Sequence, residues 1–146
     1  MDRPPRRPDE SFLPGWSMPL ILVPSVLLAL ATLGAFWVAL WRDPADLAAA
    51  QSASFATLAL AHLGIAWALR STSAPAVRLS PRTNPMLLTS TVVGALLVLV
   101  LVYTAPGQAL FHTHPLDAFA WAVTLMLTPL PFLGAEVTKA FLRRRR

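Results

Sequence analysis

From Ser11 to Trp41 the chain carries no charged side chain. Three further apolar runs follow, at Leu47–Leu69, Met86–Tyr103 and about Asp117–Phe141, the last interrupted near its end by Glu136 and Lys139. A helix of about 20 apolar residues is long enough to cross the hydrocarbon of a bilayer, so each run reads as one crossing. The whole chain is 55% hydrophobic and only 13% charged, about half the charged share of a soluble domain. A water-soluble fold is thereby excluded, and the bilayer is the solvent in which the chain has to satisfy its backbone.

The expected architecture is all-α: an integral-membrane four-helix bundle whose short connections make successive helices antiparallel neighbours. Residues 1–15 hold Arg3, Arg6 and Arg7 among four prolines and form a solvated lead-in. Residues 16–142 form the bundle, with spans at about 17–41, 47–69, 86–104 and 117–141, and 143–146 are a basic tail. Trp16 and Trp41 bracket the first span where interfacial tryptophans belong. Pro19 suits a first helical turn, Pro24 predicts a kink, and Pro129 and Pro131 predict a bend in the fourth span. The stretch from Gly107 through Phe111 to Pro115 reads as a loop. Ala29-Leu30-Ala31 can pass for a signal-peptidase site, but the apolar run is far longer than a signal core and continues past it.

Orientation follows from the basic residues. Arg3, Arg6, Arg7, Arg70, Arg78, Arg82, Lys139 and the terminal arginines share one side, while the other has Arg42 alone beside Asp43, Asp46 and Asp117. Positive charge is retained on the cytoplasmic side, which predicts both termini and the Ser71–Asn84 connection there. The same arginines attract anionic membrane lipid, and this explains them without a nucleic-acid partner.

Little in the chain can do chemistry. With no cysteine, disulfides, thiolate nucleophiles and cysteine metal sites are excluded. His62 is the one ionisable side chain deep in a span. Two readings stay open for it: a neutral imidazole hydrogen-bonded to a neighbouring helix, or an ion-pathway group. A b-type haem would require a second embedded histidine on a facing helix, and none exists. His112 and His114, two apart in an outer loop, are too few to define a metal site. Glu136 and Lys139 are spaced to pair along one helix. No phosphate loop, Ser-His-Asp set or paired membrane carboxylates occur, so no catalytic residue, metal ligand or cofactor is expected. Ala53, Ala56, Thr57, Ala61, Gly64 and Ala68 line one side of the second span, and Ser90 with Gly94 and Thr91 with Ala95 do so on the third. Faces of small residues let helices approach closely in lipid.

One ordered series goes further. Met1-Asp2-Arg3-Pro4-Pro5-Arg6 precedes a span ending in Leu33-Gly34-Ala35-Phe36, and Ala50-Gln51-Ser52-Ala53-Ser54-Phe55-Ala56-Thr57-Leu58 opens the next. Ala61-His62-Leu63, Arg70-Ser71, Thr83-Asn84-Pro85-Met86-Leu87-Leu88, Tyr103-Thr104-Ala105-Pro106, Phe111, Pro115-Leu116, Trp121 and Glu136-Val137-Thr138-Lys139 follow in order. Together they resemble the last four helices of the ten-helix P-type cation-transporting ATPases, over essentially the whole chain. The phosphorylated Asp-Lys-Thr-Gly-Thr motif, the nucleotide and actuator domains and the ion-binding fourth to sixth helices are not in this sequence. The resemblance therefore implies a calcium-pump-like C-terminal membrane domain that scaffolds the transport helices and has no turnover of its own. The implied partner is a polypeptide carrying the first six helices and cytoplasmic domains, in a bacterial inner membrane. Two positions depart from the family pattern. Gln51 stands where the family usually has Arg, and His62 stands where relatives carry Gln or, in two-site calcium pumps, a Glu ligand. Neutral imidazole suits hard calcium poorly, so a second calcium site is not implied here. The rivals are a free-standing four-helix accessory subunit or channel, and a secondary transporter, against which the scarcity of intramembrane acids argues.

Overall fold

The computed structural model describes residues 17–71 and 74–144. Among them are α-helices and short connections and no strand. Four stretches are long and apolar enough to cross a membrane: Met18–Arg42 (α1), Leu47–Leu69 (α2), Pro85–Tyr103 (α3) and Ala118–Arg144. The last is two helices, α5 (Ala118–Leu127) and α6 (Pro129–Arg144), and a short α4 (Ala105–Phe111) follows α3. The expectations for residues 1–15, Trp16 and the final two arginines lie outside the described residues.

Four of the helices, α2 to α5, start where the sequence supplies an acceptor for their free N–H groups. Asp46, Asn84 and Asp117 accept from the amides of Ala49, Leu87 and Ala120 at 2.8, 3.0 and 2.8 Å. Thr104 does the same for Gly107 at 3.3 Å. α1 has Pro in its first turn and runs on through the buried Pro24. The fourth crossing breaks at Thr128, because Pro129 and Pro131 have no N–H to give the carbonyls of Leu125 and Leu127.

The stretch after Tyr103 corrects the loop reading, since Ala105–Phe111 is helical. Its cap Thr104 and Pro106 start it, and His112 ends it in the left-handed region at φ 53°. The turn also completes α3. Leu101 accepts from Thr113 Oγ1 at 2.6 Å, Val102 from Gln108 Nε2 at 2.8 Å and Val100 from the Thr104 amide at 3.0 Å. Carbonyls at a helix end need such donors most where water is scarce.

Small side chains set the packing. α1, α2 and α6 form the closest trio, α5 lies against α1 and α2, and α3 stands on the outside of α2. Ala31 and Ala35 of α1, Ala50, Ala53, Ala56, Ala61 and Ala68 of α2 and Ala135 of α6 are all fully enclosed. With lipid outside there is no hydrophobic drive between helices, so close van der Waals contact and a few hydrogen bonds hold them. Thr57 bonds its own Ala53 carbonyl at 2.8 Å and reaches Thr124 of α5 at 3.4 Å, and Trp67 Nε1 donates to Thr91 of α3 at 2.8 Å. The small-residue face expected on α3 is corrected in part. Thr91 meets α2, and a Cβ on Gly94 would stand 3.0 Å from Leu63, but Ser90 is exposed and bonds only its own Met86 carbonyl. Ser90 lies about 100° around the helix from Thr91, on the side turned away from α2.

Candidate functional site

Among the described residues the ionisable side chains fall into three places: one open helix face and the two ends of the bundle. On α2 the enclosed small residues occupy one side, and Gln51, Leu58, His62, Ala66 and Leu69 are exposed along the other. Their spacings of seven, four, four and three align them in a single stripe. His62, the weak ion-pathway candidate, is on this stripe. Among the described residues its Nδ1 meets only its own helix, 3.1 Å from the carbonyl of Leu58. A carbonyl only accepts, so Nδ1 carries the proton and, in the neutral ring, Nε2 presents a bare lone pair. α2 turns its alanine side inward because that side permits close backbone approach, and the larger His62 and Gln51 are left outside.

At the Arg42 end, Arg42 Nη1 meets Asp117 Oδ2 at 2.7 Å and its guanidinium lies 4.5 Å above the Phe119 ring. The Ala120 amide, and then the Arg42 charge, hold the Asp117 carboxyl below the usual carboxylate range. The amide of His114 donates to the buried Ser52 hydroxyl at 2.6 Å, tying this connection to α2. The Tyr103 hydroxyl donates to the Leu116 carbonyl at 2.7 Å and accepts from Trp121 Nε1 at 2.6 Å. His112 and His114 are exposed, and no group of three or more metal-ligating side chains forms among the described residues.

The opposite end contains what sequence reasoning missed. Glu136 and Lys139 pair at 2.6 Å as their spacing allows, but the Lys139 side chain is fully enclosed. Its Nζ also donates to the carbonyls of Ala68, Ser71 and Ala74 at 2.8, 3.3 and 3.2 Å. Glu136 in turn accepts from the Ala76 amide at 3.2 Å. No local pattern distinguishes this lysine from a solvated one at a helix end, because its three carbonyl acceptors lie more than sixty residues away in the chain.

Four apolar crossings, capped and clamped at both ends, define a polytopic helical membrane domain. Comparison with known proteins places it: the family described as cation transporting ATPase, C-terminus, matches residues 1–141, and the chain belongs to that family, as the C-terminal membrane domain of a P-type ATPase. It is 33% identical over 134 residues to a calcium-transporting ATPase of Bacillus subtilis, covering 90% of this chain and 15% of that protein. It is 28% identical over 149 residues to the probable cation-transporting ATPase F of Mycobacterium tuberculosis and of Mycobacterium bovis, covering 93% of this chain and 16% of theirs. The chain thus spans about one sixth of the length of these relatives.

Proposed function

We propose that this bundle buttresses the ion-transport helices of a cation pump, and that it docks onto them through the open stripe of α2. The observation that carries the reading is the exposure of Gln51 and His62 on a membrane-crossing helix. Lipid tails offer them no hydrogen-bond partner, whereas facing helices do. The imidazole then sits at the boundary with the transport helices, where its Nε2 accepts a hydrogen bond; a lone imidazole is no calcium site. Relatives named as calcium- and cation-transporting ATPases support cation transport by the assembled protein. The absence of a nucleotide-binding or phospho-acceptor motif in this sequence leaves ATP turnover to the partner.

A photo-crosslinking residue at position 62 should capture the polypeptide carrying the first six helices when the two are co-expressed. The same group at Leu97, also exposed, on α3, should meet lipid instead. Equal capture from both positions, or none from position 62, would remove α2 as the docking face.

We further propose that the Val77 end of the bundle faces the cytoplasm of a bacterial cell, on the strength of the arginine asymmetry. The chain has no cysteine, so Ala45→Cys and Val77→Cys report without background. Ala45→Cys should react with an impermeant maleimide added outside, and Val77→Cys only after the membrane is opened. The reverse pattern would invert the topology.

A further inference from the structure

The Lys139 ammonium sits among four oxygens, from Glu136 at 2.6 Å, Ala68 at 2.8 Å, Ala74 at 3.2 Å and Ser71 at 3.3 Å. One is a carboxylate oxygen and three are backbone carbonyls from the end of α2 and the connection beyond it. An ammonium has three protons to share among them, so the shell is built for a compact charge more than for one directed bond. Rings of carbonyls at such distances replace the hydration shell of a potassium-sized ion in selective channels. The carbonyl end of a helix also favours a cation, and Ala68 belongs to the last turn of α2. Charge balances locally, with one ammonium against one carboxylate.

We propose that the ends of α2 and α6 form a binding site for one compact monovalent cation, and that the protein fills it permanently with its own Lys139. The tether makes occupancy independent of the surrounding salt. Ser71, Ala74 and Ala76 are thereby held to α6 through Lys139 and Glu136, so that the α2–α3 connection follows any movement of α6. Potassium, ammonium and methylammonium are the ligands the emptied site would accept; N-methylglucamine, a bulky cation, is too large.

The test uses the full chain in lipid nanodiscs and the rate of trypsin cleavage after Arg78, which is exposed in this connection. Cleavage in a folded protein follows the population of locally opened chain. The wild type should be cut at one rate in potassium and in N-methylglucamine. Lys139→Ala should be cut about tenfold faster in N-methylglucamine, a factor that corresponds to one lost interaction of ordinary size, and should return towards the wild-type rate in potassium or methylammonium. Cleavage of Lys139→Ala that ignores the small cations would reduce Lys139 to an ordinary buried ion-pair partner and overturn the proposal. If Lys139→Ala does not insert, Glu136→Gln decides: it keeps the ammonium but removes the charged oxygen. It should be cut faster than wild type, and a rate equal to wild type would also overturn the proposal.

Discussion

Lys139→Met should cost the detergent-solubilised bundle about 3 kcal/mol, the lower end of what breaking a buried charge pair costs by removal of one partner. Methionine matches the length of the lysine stem but donates nothing. Three carbonyls and the Glu136 carboxylate lose their shared donor, and buried polar groups without partners are expensive. Glu136 is 17% exposed, so it can recover some hydration, which sets the estimate at the low end. Chemical unfolding followed by tryptophan fluorescence measures the difference. A loss under about 0.5 kcal/mol, the range of an ordinary surface substitution, would mean that the enclosed ammonium contributes little to stability.

Gly107→Ala should be the next most damaging change, at about 2 kcal/mol, within the range for overpacking a tight site. A Cβ there would lie 2.6 Å from Leu101 Cα, 2.7 Å from its carbonyl oxygen and 2.8 Å from that of Val100. All three are backbone atoms, so α4 would have to lift off α3 and disturb the Thr113 and Gln108 bonds that cap it. Gly134→Ala provides the control. Its closest neighbour is the tip of the Leu27 side chain, and the next atoms are 3.5 Å away. Leu27 can rotate, and the gain of about 1 kcal/mol in helix propensity offsets the adjustment. Thermal unfolding should rank Gly107→Ala well below Gly134→Ala, and equal losses would contradict the close approach of α4 to α3.

The crossings were legible in the sequence because length and lack of charge are one-dimensional properties. The alanine side of α2 was legible too, since helical spacing alone projects Ala53, Ala56, Ala61 and Ala68 onto one face. Local proline chemistry accounts for the break of the last crossing at Thr128, before Pro129. What failed depended on partners remote in the chain. Lys139 looked like one more interfacial cation, yet α6 packs beside the end of α2 and encloses it. The helix at Ala105–Phe111 was hidden because Pro and Gly read as turn residues. Here Pro106 occupies a first helical turn and Gly107 permits contact with Leu101.

The scaffold role is tested most directly by co-expressing this chain with a separate polypeptide that carries the first six helices and the cytoplasmic domains, and measuring cation-dependent phosphoenzyme in the membranes. Each polypeptide alone should give none, and the pair should co-purify in mild detergent and form it. Phosphoenzyme turnover by the larger polypeptide at the same rate with and without this chain, and no co-purification, would contradict the role and leave a free-standing membrane protein in its place.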